Sequence, residues 1–205
     1  MDGIIFDVDG TLWDSTEQVA ASYNIAINRH TNHQVHVTGD DLKKLFGKTM
    51  TEIFAVILPG YPASELPALL EQIYTQQHND LRKIPGVCYE KLEETLCTLS
   101  KKYPLFIVSN CQCGYIEVFL EVTGLGKYFQ DTLCFGQTQT SKGQTILRLM
   151  EKNHLTSPIY VGDTLGDQEA CKEAKIPFVF AEYGFGEAKD PDYRIQKFSD
   201  LTALF

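Results

Sequence analysis

The chain has 205 residues, 43% of them hydrophobic, which is enough to bury the core of one domain with an insertion or of two small domains. Its formal net charge of -9 excludes a general surface for polyanions, because nucleic acids and anionic lipids are held by clustered Lys and Arg. The nearest approach to such a cluster is a pair, Lys43-Lys44 or Lys101-Lys102, so we expect no nucleic acid and no membrane as a partner.

The N-terminal dozen residues carry Asp2, Asp7 and Asp9 but no Lys or Arg, the opposite of a secretory signal. No apolar run approaches the roughly 18 residues that a membrane helix needs. We therefore expect a cytoplasmic protein whose six cysteines are reduced thiols. Cys111 and Cys113 are too close together for a usual zinc half-site, and we interpret them as small residues at the start of a helix.

The segment 15–84 is predicted to contain four helices and no strand. Apolar residues recur at intervals of three and four through 16–30, as on the buried face of one helix. Thr38 and Thr49 each have an acidic residue three positions later, which is typical of helix starts. The predicted helices cover 16–30, a segment from 38, 49–57 and a longer segment from 64.

The remainder alternates between short β-rich runs and amphipathic helices, the pattern of a parallel sheet with helices on both faces. The predicted strands are 3–7, 105–109, 133–135, 159–162 and 178–181, and the predicted helices are 89–101, 115–123, 142–152 and 165–174. We predict an α/β protein with a Rossmann-like, doubly wound parallel sheet core, residues 1–14 and 85–205, and an inserted α-helical cap, residues 15–84.

Polar side chains follow the predicted strands, at the sheet edge where open parallel sheets bind ligands. They are Asp7 and Asp9 after the first strand, Ser109 and Asn110 after the second, Lys142 after a polar stretch beyond the third, and Asp163 and Asp167 after the fourth. Each residue type is also common in turns and helix caps. Their arrival in this order at successive strand ends indicates a functional site.

Four carboxylates in one place repel each other, since two like charges 4 Å apart cost about 4 kcal/mol at an effective dielectric of about 20. Such a cluster needs a cation, and carboxylates with a carbonyl and waters are ligands that Mg²⁺ prefers. Lys142 would add a positive charge able to meet a phosphoryl oxygen. The sequence thus predicts a magnesium site beside a phosphate site.

The sequence resembles the haloacid dehalogenase superfamily, in the phosphatase branch with a helical cap inserted after the first motif, which includes phosphoglycolate phosphatases and β-phosphoglucomutases. The resemblance lies in Asp7-Val8-Asp9-Gly10-Thr11, Ser109-Asn110, Lys142 and Gly162-Asp163-Thr164-Leu165-Gly166-Asp167. It implies that Asp7 is the nucleophile, forming an aspartyl phosphate, and that Asp9 is the general acid and base. An acid at Asp9 favours a phosphate ester, because an alkoxide leaving group needs a proton and a halide does not.

The resemblance also implies the remaining roles. Mg²⁺ would be held by the side chains of Asp7 and Asp163 and by the backbone carbonyl of Asp9. Phosphate would be bound by Ser109, Asn110 and Lys142. Asp167 would lie outside this first layer of contacts and support the metal or Lys142. We therefore expect a Mg²⁺-dependent phosphatase whose partner is a small phosphorylated metabolite, present as a monomer or homodimer.

Two alternative functions stay open. A phosphomutase of the β-phosphoglucomutase type shares the fold and both aspartates, but such relatives resemble Leu45-Phe46-Gly47-Lys48 and carry an Arg shortly after the Gly, where this chain has Met50. A binding or regulatory protein would keep the fold without turnover.

Several cap residues are ambiguous. His30, His33 and His36 are interpreted as surface residues rather than metal ligands. Tyr61, Phe46 and Lys48 belong to the cap core or surface unless their loops face the sheet edge, where they would contact substrate.

Overall fold

The computed structural model describes residues 1–205 and contains one six-stranded sheet, one two-stranded sheet and ten α-helices. The strands are β1 (Ile4–Phe6), β2 (Trp13–Asp14), β3 (Val87–Cys88), β4 (Leu105–Ser109), β5 (Phe129–Cys134), β6 (Ile159–Gly162), β7 (Phe178–Ala181) and β8 (Tyr193–Ile195). The helices are α1 (Thr16–His30), α2 (Gly39–Lys43), α3 (Met50–Ile57), α4 (Leu66–Lys83), α5 (Leu92–Leu99), α6 (Tyr115–Thr123), α7 (Phe135–Thr138), α8 (Lys142–Lys152), α9 (Leu165–Ala174) and α10 (Leu201–Leu204). Short 3₁₀ helices cover Leu125–Tyr128 and Phe198–Asp200. None of the helices combines the length and apolar character needed to cross a membrane.

The large sheet is entirely parallel, with the strand order β5-β4-β1-β6-β7-β8. β1 pairs on both sides, so that Phe6 lies opposite Ile107 of β4 and Val161 of β6. The carboxyl ends of these three neighbouring strands therefore meet at one edge of the sheet. The predicted α/β fold is confirmed.

Both faces of the sheet are covered by helices because successive strand residues point to opposite sides. Ile5 belongs to a core cluster with residues of α8 and α9, whereas Ile4 and Phe6 belong to a larger cluster with residues of α5 and α6. Every residue of β1, β4, β6 and β7 is buried, as expected of strands covered on both sides.

Helices α1 to α4 lie between β2 and β3, in agreement with the four predicted helices. Capping boxes begin α2 at Thr38 and α3 at Thr49, as the sequence pattern predicted. β2 and β3 form an antiparallel pair that sets Asp14 opposite Val87, so the two ends of the helical segment are adjacent. On this basis we propose the division into a core of residues 1–14 and 85–205 and a cap of residues 15–84.

Some predicted boundaries are wrong. β5 begins four residues before the predicted strand 133–135, because polar residues on this half-buried edge strand hide it from a search for apolar runs. Phe135 begins the short helix α7 instead. Helix α5 is shorter than the predicted 89–101, since Lys91 takes a left-handed φ of 59° just before it, and α4 begins at Leu66 rather than at residue 64.

Other elements were not predicted. Strands β2, β3 and β8 have only two or three residues, too few to show an alternating pattern. Cys111 and Cys113 lie in the loop before α6 rather than at a helix start, because Gly114, with a φ of 90°, immediately precedes the first helical residue. All six cysteines are free.

Replacement of Phe119 by Ala tests the packing at the junction of cap and core. The Phe119 ring is fully buried, with its centroid 4.9 Å from that of Trp13 in β2. We expect Phe119→Ala to lower the free energy of unfolding by about 3–5 kcal/mol, measured by urea denaturation, because a buried aromatic leaves a cavity. Val56→Ala, at a side chain that is 57% exposed, is the control and should change stability by less than about 0.5 kcal/mol. Equal effects would contradict this packing.

Candidate active site

An ion-pair network lies at the carboxyl edge of the sheet, between β1, β6 and α8. Nζ of Lys142, the first residue of α8, lies 2.9 Å from Oδ1 of Asp7 and 2.5 Å from Oδ1 of Asp167. All three residues are buried, with side chains at most 5% exposed. The structure thus brings together residues that are 135 and 25 positions apart in the chain.

Lys142 remains charged in this position. Burial lowers the pKa of the Lys142 ammonium, but the neighbouring carboxylates of Asp167 and Asp7 more than offset that effect and hold the pKa above its usual range. The Tyr160 ring lies beneath the ammonium, with 5.8 Å between Nζ and the ring centroid. The ammonium is therefore a fixed positive charge beside Asp7 and is confined by packing.

The carboxylates of Asp7, Asp163 and Asp167 form a compact acidic group in which one oxygen from each residue lies within 4.8 Å of the others. Burial, together with the nearby charges of Asp167 and Asp7, raises the pKa of Asp163 well above its usual range. Burial likewise raises the pKa of Asp7 to about 6, although Lys142 opposes the rise. One ammonium cannot balance three buried carboxylates, so this group favours a further cation.

Asp167 accepts more hydrogen bonds than Asp7 or Asp163, so Asp7 and Asp163 are the better candidates for side-chain ligands of that cation. Oδ1 of Asp167 accepts from Lys142, and Oδ2 accepts from the backbone N–H groups of Asp163 and Thr164. Asp167 is therefore held as a support for Lys142 and for the turn after β6. Buried carboxylate oxygens fit a hard cation such as Mg²⁺.

The Asp163 side chain is closely surrounded by the backbone at Gly10 and at Gly184 and Phe185. Its Oδ2 accepts a hydrogen bond of 2.7 Å from the backbone N–H of Phe185. A Cβ atom added at Gly10 would lie 2.1 Å from Oδ2 of Asp163, and one at Gly184 would lie 2.2 Å from Cβ of Asp163. Gly10 also has a φ of +80°, so glycine is required there by space and by conformation.

Asp9 is oriented by three donors on one oxygen. Its Oδ1 accepts hydrogen bonds from Tyr115 Oη at 2.6 Å, Ser15 Oγ at 2.9 Å and Trp13 Nε1 at 3.1 Å. Oδ2 of Asp9 accepts none of these hydrogen bonds and is therefore the oxygen that can carry a proton. Burial raises the pKa of Asp9 to about 7, although the bond from Tyr115 opposes the rise. A carboxyl group with this pKa can both donate and accept a proton near neutral pH.

A small cavity lies between the cap and this edge of the sheet. It is lined by Asp7, Asp9, Tyr23, Phe46, Gly47, Lys48, Met50, Ile53, Gln77, Ser109, Asn110, Cys111, Gln112 and Tyr115. Its volume of about 30 Å³ accommodates about two water-sized groups. A complete phosphate ester therefore requires the cap to move away from the core.

The other sequence-predicted residues occupy different positions. Ser109 lines the cavity, and Asn110 also lines it while its Nδ2 donates a 2.7 Å hydrogen bond to the backbone carbonyl of Gly47 in the cap. The phosphate-binding roles of both residues stay predictions. Phe46 and Lys48 line the cavity, whereas Tyr61 does not.

The three histidines near the start of the cap are all exposed, in agreement with the surface interpretation. These residues are His30, His33 and His36. The ring of His33 lies against Tyr61, with 5.8 Å between centroids. The acidic group at the sheet edge, and not the histidines, is the set of side chains close enough to hold a metal.

Sequence reasoning missed the residues that orient Asp9 and two glutamines of the cavity, Gln77 and Gln112. Tyr115 is 106 positions from Asp9, and no spacing rule connects an apolar helix start with a distant strand end. Trp13 and Ser15 lie within six positions of Asp9. Their hydrogen-bonding side chains, so close to the first motif, were the one sequence feature that could have indicated partners for Asp9.

Comparisons with known proteins place the chain in a family. The family model described as haloacid dehalogenase-like hydrolase matches residues 4–181. The chain therefore belongs to the haloacid dehalogenase-like hydrolase family, and the resemblance drawn from its sequence is confirmed.

Curated relatives and solved structures carry more specific names. The chain is 27% identical to pyrophosphatase PpaX of Listeria monocytogenes serotype 4a, covering 98% of this chain and 94% of the relative. It is 30% identical to a phosphoglycolate phosphatase of Agrobacterium fabrum, covering 98% and 91%. The crystal structure of a predicted phosphoglycolate phosphatase from Haemophilus somnus 129PT superposes with a TM-score of 0.85 at 22% identity, covering 100% of this chain and 97% of that one. At that identity the last match supports the fold alone.

Substitution of the buried lysine tests the ion-pair network. In EDTA at neutral pH we expect Lys142→Met to lower the free energy of unfolding by about 3–5 kcal/mol, because it leaves buried carboxylates without their partner. The control is Lys127→Met, whose ammonium lies 2.8 Å from Glu93 with both side chains about 60% exposed. The control should lose only about 0–1 kcal/mol in urea denaturation. A loss at Lys142 no larger than at Lys127 would contradict the network.

Proposed function

We propose that the protein is a Mg²⁺-dependent phosphatase that hydrolyses a small-molecule phosphate monoester through an aspartyl phosphate on Asp7. The observation that carries this proposal is the joint placement of three groups. Asp7 and Asp9 line one cavity, and Asp7 lies against the fixed ammonium of Lys142. Phosphoryl transfer depends on such alignment and on neutralised charge at the phosphoryl oxygens.

In the first half-reaction a carboxylate oxygen of Asp7 attacks phosphorus, and the bond between phosphorus and the ester oxygen breaks. Asp9, protonated on the oxygen that its three donors leave free, gives its proton to the departing alkoxide. An alcohol leaves and the phosphoryl group is bonded to Asp7.

In the second half-reaction the ionised carboxylate of Asp9 takes a proton from water. The oxygen of that water forms a bond to phosphorus, and the bond between phosphorus and the Asp7 oxygen breaks. Phosphate leaves, Asp7 is again a carboxylate and Asp9 is again protonated. Lys142 balances the negative charge beside Asp7 through both halves.

Asp7 and Asp163 are the side chains that would hold magnesium, with the Asp9 carbonyl contributed as the resemblance implies. When bound, Mg²⁺ supplies positive charge that stabilises the phosphoryl oxygens. Asp167 and the backbone around Gly184 hold Lys142 and Asp163 in place for this purpose.

The names of the relatives support two substrate classes. One relative is named phosphoglycolate phosphatase, and it favours a phosphate monoester. Another is named pyrophosphatase, and it makes pyrophosphate hydrolysis the second candidate. The phosphomutase alternative would require an isomerised sugar phosphate as product, and a non-catalytic protein would release no phosphate from any ester.

Replacement of the nucleophile tests the proposed reaction. A panel of phosphate esters and pyrophosphate, assayed for free phosphate and for isomerised product, should give phosphate release by the wild type. Asp7→Asn should reduce kcat by roughly 10³-fold or more, because a carboxamide cannot form the acyl phosphate. Asp40→Asn, at a side chain that is 81% exposed on α2, should retain wild-type turnover. Substantial activity of Asp7→Asn would rule out this nucleophile.

Metal removal provides a separate test. EDTA should abolish phosphate release and added Mg²⁺ should restore it. Gly184→Ala should raise the Mg²⁺ concentration for half-maximal activity roughly 10-fold or more, since its Cβ would displace Asp163, a proposed ligand. In Gly126→Ala the added Cβ would meet only the Leu120 Cβ at 3.8 Å, so this control should titrate like the wild type. Full activity in EDTA would exclude the metal.

A further inference from the structure

Two buried glutamines meet across the boundary between cap and core. Gln77 on cap helix α4 is 2% exposed, and Gln112 in the core loop after β4 is 6% exposed. Nε2 of Gln112 donates a hydrogen bond of 2.7 Å to Oε1 of Gln77. The same Nε2 lies 3.4 Å from Nε2 of His78.

The second polar atom of each amide has no hydrogen-bond partner within the protein. These atoms are Nε2 of Gln77 and Oε1 of Gln112. Yet Thr140 Oγ1 is the one fully buried side-chain polar atom without a partner, so the two free amide atoms keep accessible surface. Both glutamines line the cavity that holds Asp7 and Asp9, and Gln112 also lines a second cavity beside Tyr74 and His78. A buried amide with a free donor or acceptor requires a partner.

We propose that Gln77 and Gln112 select the leaving alcohol by binding a hydroxyl group on it. This inference rests on the proposed phosphatase function. A hydroxyl oxygen can accept from Nε2 of Gln77 while its proton is donated to Oε1 of Gln112. A carboxylate or a second phosphate offers acceptors only, and its oxygen would face Oε1 of Gln112 without a proton between them. The class of substrate that fits is therefore a hydroxylated phosphate ester.

The charges around the cavity agree with a neutral group at this position. Lys48 is the one cationic side chain that the cap contributes to the cavity lining, and it is exposed. The glutamines are uncharged and deeper, so an anionic leaving group bound there would lose its hydration without meeting a counter-charge. Because the pair spans cap and core, the two amides must stay within reach of one hydroxyl while the rest of the cap opens enough to admit the ester.

A comparison of matched esters tests the selection. Glycerol 3-phosphate and propyl phosphate share the carbon chain and differ in the hydroxyl groups, and pyrophosphate carries a second phosphate instead. With Mg²⁺ the wild type should show a kcat/KM for glycerol 3-phosphate at least 10-fold above those for the other two. Gln77→Met, similar in size without the amide, should lower the ratio of glycerol to propyl ester about 10-fold. Gln76→Met should keep the wild-type ratio, since Gln76 bonds Asp80 outside the cavity.

The outcomes separate this inference from the proposed function. Gln112→Met, in the core loop, is the second variant should Gln77→Met fold poorly in a thermal melt. Equal cleavage of the two esters by the wild type would overturn the role of the glutamines but not the phosphatase function. The same conclusion would follow if the ratio of kcat/KM for the glycerol ester to that for the propyl ester were unchanged in both variants. Failure of the wild type to cleave any ester overturns both.

Discussion

The buried ammonium of Lys142 is the interaction on which the site depends. It neutralises Asp7 at the end of β1 and Asp167 on the first turn of α9, and it can do so because α8 begins beside both. Asp167 in turn accepts from backbone N–H groups of the turn after β6. Removal of Lys142 would leave two buried carboxylates without their counter-charge, so the contacts that stabilise the fold also hold the proposed nucleophile.

Asp9 connects the chemistry to the cap. Its three hydrogen-bond donors come from β2, from the residue before α1 and from the first turn of α6. β2 and β3 are the strands at which the chain enters and leaves the cap. The groups that orient the proposed acid therefore lie partly at the entrance to the cap, whereas Asp7 and Lys142 lie at the end of β1 and the start of α8.

The placement of the core site residues was predictable from sequence because each of them follows a strand or begins a helix. Asp7, Asp163 and Lys142 could be placed at one edge once the parallel sheet was recognised. The contacts that orient them could not, since Tyr115 reaches Asp9 only through the packing of α6 on the sheet. Strands as short as β2 and β3 have no periodic pattern of apolar residues, so the antiparallel strand pair at the junction of cap and core could not be predicted from sequence.

The cap was predictable as helices but not as a binding surface, because the loops that face the cavity have no periodic pattern. Relatives at 27% and 30% identity are named for pyrophosphate and for phosphoglycolate. The reaction proposed at Asp7 would require the same core groups for either, whereas the leaving group would meet side chains from α4 and from the loops after α2 and β4. A change of one amide to a charged side chain there would alter the accepted substrate without touching the nucleophile. In this chain the deep position is held by two uncharged amides, one of them presenting a free donor and the other a free acceptor, so its chemistry differs from that required by a second anionic group.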